Sequence, residues 1–144
     1  MSRRSMQLYM LEPDDDDRHL TRSVFSDKAY PVQLTFFSDS GELMRFLDNL
    51  EAAAFPDLVL INGNLRPEGI ALEFLESFKA HDLYRGIPVV VVSNRLPADE
   101  ILKYYAMGAS SFIEKPFTND RAMEKMEVFV RYWFDVVELP RISG

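Results

Sequence analysis

The sequence predicts a doubly wound α/β fold, and three observations carry that expectation. Short apolar runs alternate with segments of 3.6-residue rhythm along the chain. Two of the runs, Leu58-Val59-Leu60-Ile61 and Val89-Val90-Val91-Val92, are apolar on both faces, as central parallel strands covered by helices on each side are. Three runs end in polar residues: Leu58–Ile61 in Asn62, Val89–Val92 in Ser93, and Phe112-Ile113-Glu114 in Lys115-Pro116. In an open parallel sheet, ligands and chemistry collect just beyond the carboxyl ends of the strands.

Taken in order, Gln7–Leu11 reads as the first strand, rich in aliphatic and aromatic residues. Asp16 to Phe25 follows as a helix with Leu20 and Val24 at i, i+4. Val32–Phe37 has Gln33 and Thr35 interleaved, which marks an edge strand. Ser40 to Ala53 supplies Leu43, Phe46, Leu47 and Leu50 to one helical face, and Ile70 to Phe78 supplies Leu72, Leu75 and Phe78. Between them lies the third strand, Leu58–Ile61; the fourth is Val89–Val92. Pro97-Ala98-Asp99-Glu100 puts proline and carboxylates in a first helical turn, and Gly108 after Met107 suits a helix end. Ser111–Glu114 is the fifth strand. The last helix, Asn119 to Val137, carries Ala122, Met126, Phe129, Val130, Trp133 and Val137 as its apolar stripe. Five strands and five crossover helices argue for the flavodoxin-like (βα)5 arrangement, a parallel five-stranded sheet in the order 2-1-3-4-5.

Composition agrees with one folded domain: 144 residues with 47% hydrophobic content suffice for a sizeable core. Residues 1–5 are expected as a flexible N-terminal arm and 138–144 as a C-terminal extension. No run approaches the roughly 20 apolar residues that a membrane span needs, and Met1 to Met6 lacks a secretory h-region, so a cytoplasmic location is expected. The chain has no cysteine, which removes disulfides, thiol nucleophiles and thiolate metal sites together. A net charge of −7 opposes direct nucleic-acid binding.

The stretches Tyr9-Met10-Leu11-Glu12-Pro13-Asp14, Asp57 to Asn62, Ile87 to Ser93 and Gly108-Ala109-Ser110-Ser111-Phe112-Ile113-Glu114-Lys115-Pro116-Phe117 resemble the successive signatures of a response-regulator receiver domain. The resemblance covers nearly the whole chain, and Gly-Ala-x-x-Phe-x-x-Lys-Pro-Phe is its most specific part. The ending Tyr132 to Pro140 further resembles single-domain receivers that work beside phytochrome-type and hybrid sensor histidine kinases.

That resemblance implies a mechanism and shows where this chain departs from it. In such receivers two carboxylates after the first strand and one at the end of the third bind Mg²⁺, and the third takes a phosphoryl group from a kinase histidine. A hard cation wants oxygen ligands, and it neutralises charge on the transferring phosphoryl. Here Glu12 keeps the first carboxylate, Pro13 replaces the second and Asn62 replaces the phosphoacceptor. A neutral amide cannot form the acyl phosphate. Asn62 then has two readings: a substitution that relieves repulsion in a disused cluster, or one that holds a permanently set state. Asn62-Gly63 is also the dipeptide most prone to deamidation in flexible chains, which rigid strand-end geometry should suppress.

Ser93 and Phe112 match the family's switch pair, Lys115 the lysine that pairs with the phosphoacceptor, and Pro116 the proline that follows a cis peptide. By pattern alone Ser93 is equally a strand-end hydroxyl bonded to backbone, and Phe112 a core residue. Asp14 could take the place vacated at Pro13 and hold a weak Mg²⁺ with Glu12, or accept a phosphoryl group itself. Carboxylates at a helix start more often serve as caps, with Asp15 or Asp16 the expected N-cap. The loop Asn64-Leu65-Arg66-Pro67 is one residue longer than the family's pattern, Asn94 is bulkier than its counterpart, and His19 and His81 stand isolated in helices. No cofactor is expected beyond weak Mg²⁺.

The expected business of the protein is therefore partner binding. The resemblance places the output or dimer face on the fourth helix, fifth strand and fifth helix, where aromatics concentrate. Tyr104, Tyr132 and Phe134 lie off the core stripe and are expected exposed there, with Glu138-Leu139-Pro140 extending the last helix. The implied partners are a sensor histidine kinase, a downstream signalling protein or a second copy of the chain. An acidic first loop, Glu12-Pro13-Asp14-Asp15, opposes a flavin phosphate, and no activated nucleophile supports an independent hydrolase.

Overall fold

A computed structural model describes residues 5–26, 32–51, 54–115 and 119–140. Among them β1 (Met6–Leu11), α1 (Asp15–Ser26), β2 (Val32–Phe37), α2 (Ser40–Asp48), β3 (Leu58–Asn62), α3 (Ile70–Ala80), β4 (Val89–Ser93), α4 (Ala98–Ala106), β5 (Ser111–Glu114) and α5 (Asn119–Arg131) follow in that order. The strands are parallel and lie in the order β2-β1-β3-β4-β5, the flavodoxin-like order expected from the alternation. The sequence expectations for residues 1–4, 141–144, Pro116 and Phe117 fall outside the described residues.

Successive residues of a strand point to opposite faces, and this alternation divides the interior in two. On one face Tyr9, Leu11, Val59, Ile61, Val89 and Val91 pack under α2, α3 and α4, meeting Leu43, Leu47, Phe74, Leu75 and Phe78. On the other, Leu8, Met10, Leu58, Leu60 and Val90 meet Phe25, Phe129, Val130 and Trp133 from α1 and α5. Because β3 and β4 are covered on both sides, their runs Leu58–Ile61 and Val89–Val92 are apolar throughout, the property that makes them visible in sequence. The buried Asp57 belongs to the amino-terminal edge of the sheet, where its Oδ2 accepts the Gln7 N–H at 2.9 Å.

Three helix boundaries differ from expectation, each for a local reason. The cap of α1 is Asp14 rather than Asp15 or Asp16: its Oδ2 accepts the Asp17 N–H at 2.9 Å, satisfying an otherwise orphaned donor. The second helix ends at Asp48, not Ala53, because the Asn49 side chain donates to the Arg45 carbonyl at 2.7 Å and takes the acceptor a continuing helix would use. The last helix widens after Arg131 into a π turn, Tyr132–Val136, and the chain is extended from Val137. Glu138-Leu139-Pro140 therefore does not lengthen the helix, and Leu139 instead packs against the core. Four residues advance slightly past a full turn in an α-helix and fall slightly short in the wider π turn. The two offsets cancel, so Val128, Tyr132 and Val136 form one exposed row.

His81 is not within a helix either. It follows α3, where its Nδ1 accepts the Leu83 N–H and its ring stacks on Tyr84 with centroids 3.8 Å apart.

Candidate functional site

The carboxyl ends of β1, β3, β4 and β5 bring Glu12, Asn62, Ser93 and Lys115 to one mouth of the sheet. Parallel register does this: Leu11 pairs with Ile61, Asn62 with Val92, and Ser93 with Glu114. Glu12 and Ser93 are fully buried, and Asn62 is 7% exposed.

Asn62 is fixed at both ends of its amide. Its Nδ2 donates to Oε1 and Oε2 of Glu12, each at 3.0 Å, and its Oδ1 accepts the Asn64 N–H at 2.8 Å. Only this amide orientation satisfies both neighbours, since Glu12 is acceptor and the Asn64 N–H donor. The Gly63 N–H, which would have to attack the Asn62 side chain for deamidation to begin, is bonded to the Val92 carbonyl at 2.9 Å.

Glu12 has little water around it, and burial pushes its carboxyl above the ordinary value. The Asn62 amide, the Asp14 N–H and the Lys115 ammonium pull it back down, while Asp17 pushes it up. Lys115 reaches Asp17 Oδ2 at 3.1 Å and stands 3.9 Å from Glu12 Oε1. Asp17 was not singled out by sequence: it is one of four consecutive aspartates, and only its place on the first turn of α1 aims it at Lys115. Arg18, from the same turn, donates through Nε to the Glu12 carbonyl and through a terminal nitrogen to Ser38 Oγ at 3.1 Å.

The donor set does not suit a hard divalent cation. Both Glu12 oxygens already accept amide hydrogens, Pro13 offers no side-chain oxygen, and the Asp14 carboxylate caps α1 instead of joining Glu12. Among the described residues no group of three histidine, cysteine, aspartate or glutamate side chains converges to hold a metal ion.

Ser93 closes β4 and Phe112 lies within β5. The Ser93 hydroxyl lies 3.0 Å from the Asn94 carbonyl and 3.4 Å from Asn64 Oδ1, so backbone and a neighbouring amide hold it. Phe112 is partly buried and packs on Tyr104, ring centroids 5.4 Å apart. Tyr104, expected at the surface, is only 5% exposed. Its helix is short and supplies one large inward side chain, and its hydroxyl donates to the Gly63 carbonyl at 3.3 Å. Phe134, likewise expected at the surface, is half-buried, lying four residues beyond Val130 and packed against the core on the α1 and α5 side of the sheet. Tyr132 is 50% exposed as expected. Arg66 is exposed and lines a cavity of about 600 Å³ with Lys103, which shares its charge, and with Glu68 and Glu100, which oppose it.

Comparison with known proteins decides the family. A model described as the response regulator receiver domain matches residues 10–127. The chain belongs to that family. Response regulator Rcp1 of Synechocystis is 23% identical over 136 residues, covering 92% of each chain. The phosphate regulon transcriptional regulator PhoB of Escherichia coli is 29% identical over 77 residues, 54% of this chain but 33% of PhoB, so the receiver spans about a third of that relative. Among solved structures, the phosphorylated cyanobacterial phytochrome response regulator RcpA superposes with TM-score 0.84 at 24% identity, over 95% of this chain and 99% of its own. The manganese-bound form of Rcp1 gives 0.82 at 22%, over 94% and 99%. At such identities these structures speak for the fold.

No helix among the described residues is long and apolar enough to cross a membrane. The surface of α4, β5, α5 and the π turn exposes Leu102, Tyr105, Val128, Tyr132 and Val136. A groove of about 670 Å³ runs between β5 and α5, floored by Ile113, Phe129 and Trp133 and edged by Arg121, Glu124 and Lys125.

Proposed function

We propose that this receiver acts in two-component signalling as a cytoplasmic protein-binding module whose state does not depend on phosphoryl transfer to residue 62. One observation carries the reading: the Asn62 amide donates to both oxygens of Glu12 at 3.0 Å. A carboxylate in that place would face Glu12 across the same distance and need a cation between them. The amide supplies the two hydrogen bonds itself and satisfies the buried Glu12 without metal. It is also a poor nucleophile, so neither half of the phosphotransfer chemistry is provided, and Mg²⁺ binds weakly at best.

Output then rests on the α4-β5-α5 surface, whose aromatics and apolar groove suit a kinase, a downstream signalling protein or a second copy of the chain. The test is binding of a sensor histidine kinase by calorimetry, with and without ATP. Equal affinity in both conditions supports the reading, and binding that appears or vanishes on phosphorylation overturns it. Transfer to a neighbouring carboxylate such as Asp14 remains the competing reading, and peptide mapping of any labelled protein separates the two.

A further inference from the structure

We propose that Asn64 is a built-in tether that holds the loop leading into α4 in one position, in place of a phosphoryl-dependent contact. The tether rests on the preceding reading of the site as a set state and supplies its mechanical basis.

The loop after β3 and the loop after β4 are thirty residues apart in sequence, yet they are bonded side to side. Asn64 Oδ1 accepts the Asn94 N–H at 2.8 Å and lies 3.4 Å from the Ser93 hydroxyl. Asn64 is itself anchored, because its N–H donates to Asn62 Oδ1 at 2.8 Å. Polar contacts therefore run without a break from Glu12 through Asn62 and Asn64 to Ser93 and Asn94, crossing the ends of β1, β3 and β4.

Packing closes the same junction. A Cβ at Gly63 would stand 2.7 Å from the Ser93 Cβ and 2.9 Å from its hydroxyl, so the end of β4 and the start of the loop after β3 approach more closely than any residue but glycine allows. Beyond it, α4 is held twice more: Tyr104 bonds the Gly63 carbonyl at 3.3 Å, and the Tyr105 hydroxyl accepts the Phe112 N–H of β5 at 3.0 Å. The Asn94 bond is the shortest of the three and stands at the entrance to the helix. Asn64 is thus a positioning residue for the surface on which partners would dock.

Amide hydrogen exchange on the full chain, followed by NMR without any phosphodonor, tests the tether. Asn64→Ala removes the acceptor and should speed exchange at Asn94 roughly five- to ten-fold relative to Leu60 in β3, the factor expected for one lost hydrogen bond, with a smaller increase at Phe112. Asn64→Asp keeps an oxygen in the same place and should restore the wild-type rate at Asn94. Unchanged exchange at Asn94 in Asn64→Ala, or equal acceleration in both variants, overturns the tether while leaving the absence of transfer at Asn62 untouched. Conversely, phosphoryl labelling of residue 62 would overturn the set-state reading without altering these rates.

Discussion

Asn62 Nδ2 lies 3.0 Å from both carboxylate oxygens of Glu12, so the end of β3 is joined to the end of β1 by a bifurcated bond between a neutral amide and a buried acid. Replacing the amide by its isosteric acid would remove both bonds and set two carboxylates against each other. Asn62→Asp should therefore lower stability by about 1–3 kcal/mol at neutral pH. Because one of the paired acids would titrate late, the loss should shrink as pH falls through the carboxylate range. Urea unfolding across pH checks both points, and an unchanged midpoint at pH 7 would contradict the account.

The wild-type protein carries its own pH signature. Glu12 sits above its ordinary value of 4.5 because burial outweighs its hydrogen bonds and Lys115. A group with a raised folded pKa contributes stability that is complete below the unfolded value and lost as pH rises through the folded one. Glu12→Gln cannot ionise, so the difference in unfolding free energy should move in favour of the glutamine variant as pH rises above 4.5. A difference that is flat, or moves the other way, would show that hydrogen bonds dominate burial.

Tyr104 divides its contribution between ring and hydroxyl. The ring is buried against Phe112, so Tyr104→Ala should cost about 3–5 kcal/mol, whereas Tyr104→Phe, losing one long bond to Gly63, should cost about 0.5–1 kcal/mol. Equal small losses in urea unfolding would return Tyr104 to the surface.

Tyr132 should behave in the opposite way. With half its area in water, Tyr132→Ala should change stability by no more than about 0.5 kcal/mol and yet weaken self-association or partner binding by the α5 surface. Light scattering over a concentration series and calorimetry with a bound partner measure the two. A large loss of stability with no effect on association would remove the row Val128, Tyr132, Val136 from the proposed docking face.

Much of this molecule is legible in sequence because burial on both faces of a parallel sheet demands unbroken apolar runs. Leu58–Ile61 and Val89–Val92 announce themselves, and the residue after each run, Asn62 or Ser93, must then stand at the mouth. The contacts among those residues are less legible. Four aspartates in a row look alike, and only the first turn of α1 makes Asp14 the cap and sends Asp17 to Lys115. Tyr104 looks like a surface aromatic because α4 has too few inward positions to set a periodicity. The bond between Asn64 and Asn94 joins two loops whose polarity suggests only solvent. The π turn has no composition of its own, and it places Val136 in line with Tyr132 by geometry that helix periodicity does not anticipate.

The central claim is that no phosphoryl group is transferred to residue 62. Intact mass spectrometry with peptide mapping, after incubation with acetyl phosphate and Mg²⁺ or with a phosphorylated sensor kinase, tests it most directly. The account predicts an unmodified peptide spanning β3 and no gain of one phosphoryl mass by the wild-type protein. A phosphoryl group mapped to that peptide would contradict it, and one mapped to Asp14 would establish the competing reading instead.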